Sequence, residues 1–477
     1  MKDEKSDSLA LPKKADNLNE WYVEVVERAE LSDKRYPIKG MNVWLPYGWN
    51  IMQRIDGLIR EEMMRTEHKE VYFPLLIPEE QFRKEAEHIT GFYGEVYWVT
   101  RAGENELDVP MLLRPTSETA MYPVFSLWIR SHTDLPLKVF QIVNTFRYET
   151  KQTRSFMRVR EIHFFEAHTC HTTFEDAERQ IAEDIEILQN LFRKLCLHYV
   201  LCKRPDWDKF AGAHYSIGID SVMPNGRTLQ LGSIHQYKTN FSVPYNIKYE
   251  DEKGEHKFVH QTTYGMSERL LGAVIIVHGD DRGLVLPPII APIQVVIVPI
   301  LKKEIREPII DACRKIESAL GAEGIRVKCD MRDLRPGNKY YYWEMRGVPL
   351  RIEIGPRDLE KNVVTLVRRD TLRRYEVLYT QLLKEVKHIM EDMALSLLRR
   401  AEEMQKDHIQ EVNDLRNVKE GKIARMYWCG NEECGHEIED VTGWSILGNP
   451  VNEKHPLGKC IVCGAESSDV IYVSKTY

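Results

Sequence analysis

The sequence predicts an α+β fold in three units: a large domain on an antiparallel sheet (1–290), a small α/β domain (291–395) and a metal-binding C-terminal domain (396–477). Three observations predict it. Residues 139–149 and 156–165 alternate or run apolar around the polar TKQTRS, as an antiparallel hairpin with a long loop does. From Gln294 onward short strand and helix patterns alternate. Near the end, Cys429-x4-Cys434 and Cys460-x2-Cys463 repeat the pairing of a tetrahedral metal site.

Taken in order, the first twenty residues lack an apolar core, so no secretory signal is expected there. A helix is predicted over 17–31, with Trp21, Val25 and Leu31 on its apolar positions, and another over 50–64 with Ile51, Ile55, Leu58 and Ile59. VYFPLLIP follows as a short strand-like run punctuated by Pro74 and Pro78. After the hairpin, Thr172 or Thr173 with Glu175 and Asp176 caps a helix expected to reach about Cys202. Further strands are expected around 211–219, 228–235 and 241–249. QVVIVPI begins the α/β unit, followed by a helix near 303–320, a strand at 325–329, a helix near 337–346 and a strand at 349–354. A charged helix at 376–410 leads to the cysteine module. The longest apolar stretch, Leu286 to Leu301, holds four prolines and Gln294, so no membrane helix is expected and a cytoplasmic place is.

The chain is 43% apolar, 29% charged and 9% aromatic, which excludes wholesale disorder. Its net charge of −7 gives no global reason to expect nucleic acid as a partner. Of nine cysteines, Cys170, Cys196, Cys202, Cys313 and Cys329 read as small buried apolar residues. Cys429, Cys434, Cys460 and Cys463, adjoined by Gly430, Gly435 and Gly464, read as zinc ligands. A closed four-sulfur site leaves no open position, so the zinc is expected to be structural.

The chemistry concentrates in TFRYETKQTRSFMRVREIHFFEAH. Arg147 and Glu149 are expected to share one face of a strand, and Phe156 and Arg158 one face of its return. Two guanidiniums, a carboxylate and a ring suit a nucleotide: arginines for phosphates, ring and carboxylate for adenine. Read alone, such a strand is usually a solvated face. However, the run resembles motif 2 of class II aminoacyl-tRNA synthetases, Phe-Arg-x-Glu. The helix over 50–64 with VYFPLL resembles motif 1, a dimer-interface element marked by Pro74. HGDDRGLVLPPIIAPIQVV resembles motif 3 as it occurs in prolyl-tRNA synthetases, and LLRPTSETAMYP resembles their amino-acid loop. EWYVEVVERAEL and KFAGA at 209–213 resemble the same family, and the cysteine module with Tyr477 resembles the C-terminal domain of its archaeal and eukaryotic form.

The resemblance implies a class II antiparallel-sheet catalytic domain, an α/β anticodon-binding domain carried by LRPGNKYYYWEMRGVPLRIEIGPRDLE, and a zinc-binding C-terminal domain. It implies activation of L-proline by ATP and transfer of proline to tRNA(Pro) by a homodimer joined through motif 1. The activation joins two anionic groups, so the site must neutralise and align them; no nucleophilic side chain is needed. By the resemblance Arg147 bridges carboxylate and α-phosphate, Glu149 and Phe156 hold adenine, and Arg158 holds phosphates. Thr116 and Glu118 take the proline imino group, with His235 and Phe164 beside the ring. Gln230, Ser233, Ser267 and Arg269 are further nucleotide contacts, and Mg²⁺ accompanies ATP. Glu344, Arg351 and Arg357 are the expected anticodon readers, and Lys361, Arg368, Arg369, Arg373 and Arg374 a basic run for phosphates.

One departure is visible: where the family continues Pro-Pro-Arg, this chain reads Pro287-Pro288-Ile289, so the contact to the terminal phosphate comes from elsewhere, Arg269 or Arg282, or is absent. Glu166 to Gly283 is too short a span for the bacterial editing insertion. The competing readings are a threonyl, glycyl or histidyl enzyme of the same class, a non-catalytic paralogue, and a zinc-ribbon nucleic-acid binder. The catalytic half has no Cys and His zinc cluster of the threonyl kind and lacks the histidyl Gly-Gly-Arg-Tyr-Asp. Arg147, Glu149, Thr116 and Glu118 are all retained, against the expectation for a silent paralogue.

Overall fold

The computed structural model describes residues 10–86, 94–451 and 453–477, so the first nine residues of the charged N-terminal segment fall outside the description. Helix α1 (Leu18–Arg28) starts at Asn17, whose side chain accepts from the Glu20 amide, and buries Trp21, Tyr22, Val25 and Val26. Helix α2 (Pro46–Arg65) begins on a proline, which needs no amide partner there, and buries Ile51, Ile55, Leu58 and Ile59. VYFPLLIP is mostly irregular: only β1 (Lys69–Glu70) beside it and Leu76–Pro78 within it pair as strands.

Helix α3 (Glu118–Trp128) precedes the hairpin β2 (Leu137–Phe146) and β3 (Glu161–His171), paired from Leu137 opposite Cys170 to Phe146 opposite Glu161. The strands are shorter on the loop side than expected. Arg147 and Glu149 lie beyond β2, and Phe156 and Arg158 sit in a turn closed by an Arg154–Arg158 bridge. Helix α4 (Phe174–Lys194) is capped by the Thr173 side chain on the Asp176 amide. It ends eight residues before Cys202, because the chain turns through a left-handed Cys196 (φ 56°) into β4 (Val200–Lys203).

Strands β5 (Tyr215–Val222), β6 (Thr228–Lys238) and β7 (His260–Ser267) complete the floor. The strand expected at 241–249 is instead a series of turns. Its apolar residues Phe241, Tyr245 and Ile247 are buried against α3 and β2 side chains such as Phe125 and Val139, and only Lys248–Glu250 pairs, with His256–Phe258. Strand β7 was not foreseen, since HQTTYGMS carries neither alternation nor an apolar run. Helix α5 (Arg269–His278) follows it directly and is buried nearly throughout.

The α/β unit holds β8 (Val295–Pro299), α6 (Arg306–Ala322), β9 (Val327–Cys329), α7 (Pro336–Met345), β10 (Leu350–Ile354), β11 (Val363–Arg368) and β12 (Arg374–Leu378). Its sheet order is β9-β8-β10-β11-β12, parallel among the first three and antiparallel beyond. Helix α8 (Leu382–His408) spans position 395 and packs Met393 and Leu397 onto Cys196 and Val285.

The C-terminal segment forms β13 (Ile409–Glu411), β14 (Ile423–Tyr427), α9 (Glu432–Thr442), β15 (Ser445–Pro450) and β16 (Val470–Ser474). Strand β15 pairs with β4, through Asn449 opposite Lys203 and Pro450 opposite Cys202. One eleven-stranded sheet therefore runs β13-β14-β16-β15-β4-β5-β6-β7-β3-β2-β1. The cysteine module is thus an extension of the central sheet.

Candidate active site

Two adjoining cavities of about 240 Å³ each open over β3, β5, β6 and β7 and share Arg147, Phe164, Gln230, Ser233 and Gly265. A bulge in β6 sets their floor. Ile219 pairs with Gly232 and Asp220 with Gln230, so Leu231 is skipped. Leu231 and Ile234 then both turn into the core, leaving Gln230, Ser233 and His235 on the cavity side. Gly265 is needed for space: a β-carbon there would stand 2.8 Å from the Phe164 ring.

The first cavity joins Thr116, Glu118, Arg147, Phe164 and His235, as the sequence predicts. Glu118, in the first turn of α3, is 2% exposed. It accepts hydrogen bonds from the Thr116 hydroxyl and, at 3.0 Å, from the Tyr237 hydroxyl. Beneath it Glu166 accepts from Ser117, from Gln141 at 3.0 Å, and pairs with His168 at 3.3 Å. Burial opposes the charge on Glu166, but His168 and these donors hold its pKa below the usual range. Burial likewise opposes charge on His168, and Glu166 and Glu118 raise it. His235 is clamped between Ser216 (2.7 Å) and Ser233 (2.8 Å), and burial pushes its pKa down to about 3, so its ring is neutral.

The second cavity joins Arg147, Glu149, Arg158, Gln230, Ser233, Ser267 and Arg269. Arg269 stands at the start of α5, donating to the Met157 carbonyl at 2.8 Å and the Gln230 carbonyl at 3.0 Å. Burial first, then the nearby Arg147 charge, lowers its pKa to about 10, still cationic at neutral pH. Burial also lowers Arg147, opposed by Glu95, Glu118 and Glu166. Arg158 donates to the backbone oxygen of Tyr477 at 3.0 Å and lies 3.7 Å from Glu149, so the C-terminal residue reaches the rim.

Phe156 departs from the expectation. It has φ 61°, is 2% exposed, and packs its ring 4.6 Å from Trp44. The turn aims it into the core, and Met157 and Val159 line the cavity in its place. Ile289 is also not a cavity residue. It is 41% exposed and its carbonyl accepts from Arg326, so the missing arginine leaves no gap in the cavity wall. Arg282 donates to Glu344 at 3.0 Å and lines neither cavity, leaving Arg269 as the guanidinium there.

In the α/β unit, Glu344 and Arg351 meet at 2.8 Å, and Arg351 lies over the Tyr340 ring and reaches Glu353 at 3.0 Å. Arg357 stands apart, exposed on the short helix Pro356–Lys361. The basic run is not an open track. Arg368 pairs with Asp370 and Asp392, Arg369 with Asp280, Arg374 with Glu353, and Lys361 lies 3.5 Å from Glu376. Arg373 is exposed.

The Sγ atoms of Cys429, Cys434, Cys460 and Cys463 all lie within 4.8 Å of one another, with Cys429 and Cys463 at 3.7 Å. Tetrahedral zinc–thiolate geometry puts sulfurs about 3.8 Å apart, so the cluster fits a metal.

Several lining residues escaped the sequence reading. Glu95 and Glu268 border the second cavity, and burial pushes Glu268 up to about 7. Glu166, Arg204, Asp208, Lys209 and Phe210 border the first. KFAGA carried the signal for Lys209 and Phe210. Glu166 stood inside the motif 2 run, but nothing in its spacing marked it.

Comparison with known proteins agrees along the chain. Residues 97–278 match the family model "tRNA synthetase class II core domain (G, H, P, S and T)", 294–389 "Anticodon binding domain", and 415–477 "Prolyl-tRNA synthetase, C-terminal". The proline–tRNA ligase of Pyrococcus abyssi is 55% identical over 97% of this chain and 98% of its own. That of Thermococcus kodakarensis is 56% identical over the same shares. The structure of the Giardia lamblia prolyl-tRNA synthetase in complex with prolyl-adenylate superposes with a TM-score of 0.95 at 34% identity, covering 98% of this chain and 100% of that one.

Proposed function

The chain belongs to the prolyl-tRNA synthetase family of class II aminoacyl-tRNA ligases, and from that premise we propose how its own residues carry out the reaction. The protein activates L-proline with ATP and ligates it to tRNA. In the first step a proline carboxylate oxygen attacks the α-phosphorus of ATP, and the bond to pyrophosphate breaks. In the second a terminal ribose hydroxyl of tRNA(Pro) attacks the activated carbonyl, and AMP leaves.

Arg147 lines both cavities, and this observation carries the assignment. A guanidinium at that junction can bridge the proline carboxylate and the α-phosphate, neutralising the repulsion between them as the bond forms. Glu118 and Thr116 take the secondary ammonium of proline, and Phe164 and His235 enclose its ring. Glu149, Gln230, Ser233 and Ser267 hold the nucleoside, with Arg158 and Arg269 on the phosphates. Phe156 acts from behind, by fixing the turn that carries Met157 and Arg158. Glu344 and Arg351 read the anticodon, with Arg357 at the margin: a carboxylate accepts from the N1–H and amino group of an unstacked guanine, and guanidiniums reach its acceptors.

Mg²⁺ enters with ATP and supplies charge neutralisation on the phosphates. The four cysteines are assigned to a structural zinc. The division 1–290, 291–395 and 396–477 follows these roles, although the last part shares its sheet with the first. Motif 1 supports a homodimer: Met64, Tyr72 and Leu76 are large apolar side chains left exposed along it. Among the described residues no helix is long and apolar enough to cross a membrane. A cytoplasmic site suits thiolates held for metal.

The test is aminoacylation of total tRNA with each labelled amino acid, beside ATP–pyrophosphate exchange. Proline should support both. Exchange with threonine, glycine or histidine in its place would overturn the assignment.

A further inference from the structure

The loop between β4 and β5 supplies Arg204, Asp208, Lys209 and Phe210 to the amino-acid cavity, yet it is anchored on the cysteine module. The Trp207 ring lies 4.7 Å from His436 and 5.9 Å from Trp428, meeting the latter edge-on at 87°. A β-carbon on Gly435 would stand 2.4 Å from Trp207 Cη2, so the indole rests on the backbone there. Gly435 follows Cys434 and Trp428 precedes Cys429, and the Trp428 indole donates to Asn431 at 3.0 Å, inside the same knuckle. One ring of the loop therefore touches both flanks of the first cysteine pair.

A second anchor runs in parallel. Arg204 donates to the Leu447 carbonyl of β15 at 2.7 Å and to Asp220 at 2.8 Å, and lies 3.7 Å from Asp208. At the other end of the loop, the Phe210 amide donates to Ser216 Oγ at 2.9 Å, the same hydroxyl that holds His235 at 2.7 Å. The Phe210 ring lies 4.8 Å from His235. A shift of Trp207 is thus three residues from the wall of the amino-acid cavity.

We propose that the metal-bound cysteine cluster positions the proline-binding wall of the catalytic cavity, with Trp207 as the positioning residue. Metal held by the four thiolates fixes the backbone at Trp428 and Gly435. That fixes the indole, and the loop then presents Phe210 to His235. The inference rests on reading this cavity as the proline site. Linkage makes it reciprocal: if metal favours the proline-binding form of the loop, proline must favour retention of metal.

The test uses the full-length protein loaded with zinc, with Trp207→Ala and Gly435→Ala. Gly435 lies inside α9 and has no left-handed backbone, so alanine suits the helix while its β-carbon displaces the indole. Both variants should raise KM for proline by about tenfold or more and leave KM for ATP within about twofold, and Trp207→Phe should recover part of the loss. Zinc affinity, read by equilibrium competition with a chromophoric chelator, supplies a readout apart from activity. Proline should tighten it at least about threefold in the wild type and lose that effect in the variants. If Trp207→Ala does not fold, Gly435→Ala decides. An unmoved KM for proline in a folded variant, or zinc affinity indifferent to proline in the wild type, overturns the coupling. Absence of proline-dependent exchange in the wild type would instead overturn the functional reading itself.

Discussion

Replacing Glu118 by Gln removes one charge from the cavity proposed for proline and almost no volume. The carboxylate is 2% exposed and already accepts from the Thr116 and Tyr237 hydroxyls, so its geometry is fixed before proline arrives. What the amide cannot supply is a charge-assisted acceptor for a secondary ammonium. Such a bond contributes about 1.5–3 kcal/mol, which is about 10–150-fold in affinity. Part of the loss will be local, because the amide nitrogen must face one of two hydroxyls that now donate toward it. Glu118 lines the cavity proposed for proline and not the one proposed for the nucleotide, so KM for proline should rise by that factor while KM for ATP stays put. Steady-state ATP–pyrophosphate exchange at varied proline and varied ATP reads both constants, and circular dichroism checks the fold. A KM for proline within about threefold of wild type, in a folded variant, refutes the assignment of the ammonium to Glu118.

Arg269→Ala should slow proline-dependent exchange by at least about tenfold, a loss of about 1.4 kcal/mol of transition-state binding; an unchanged rate removes it from the phosphate site. Glu344→Gln should raise KM for tRNA in aminoacylation and leave exchange within about twofold of wild type; equal effects on both would point to a packing role at its contacts with Arg282 and Arg351. Asp184, buried on α4 beside Gln180, has its pKa pushed by burial up to about 8. The folded chain therefore holds a proton that the unfolded chain releases near 4, so stability falls as pH rises from about 4 to 8. Asp184→Asn should remove that slope, raising Tm relative to wild type more at pH 8 than at pH 5, and parallel Tm profiles at both pH values would show the slope has another source.

The parts of the fold that could be read from sequence were those where a local rule and the tertiary environment agree. Of the two threonines offered as a cap, Thr173 caps its helix, and the four cysteines lie as their spacing requires. The misses occurred where tertiary structure overrides period. Residues 241–249 are apolar because they cover a core cluster, not because they alternate along a strand. Strand β7 is buried along most of its length, yet it opens on the polar His260, Gln261, Thr262 and Thr263 before Tyr264 and Met266 enter the core, with Thr262 bonded to Thr169 across the ladder at 2.6 Å. In the site, the residues carried by motifs came together because motif spacing encodes the sheet. Phe156 did not, because one left-handed turn residue reverses the face and no composition signal marks it. The bulge that skips Leu231 was equally silent in sequence. Nothing in the cysteine spacing announced that its module would continue the catalytic sheet through Pro450 and Cys202.

The acidic balance of the chain and its anion-binding site are two sides of one electrostatic arrangement. Arg147 and Arg269 are half-buried; burial lowers the pKa of both, and the Arg147 charge lowers that of Arg269 again. Glu95, Glu118 and Glu166 oppose that effect on Arg147, and Glu268 and Asp220 oppose it on Arg269. Without those carboxylates the guanidiniums would be costlier to keep charged in a desolvated cavity, and less fit to meet phosphate. The same logic governs the α/β unit, where Arg368, Arg369 and Arg374 are each answered by an aspartate or glutamate. A surplus of acid is therefore compatible with a polyanionic substrate. Cations already paired internally give a nonspecific polyanion little, and they favour a ligand whose geometry can replace the internal carboxylate at several positions together.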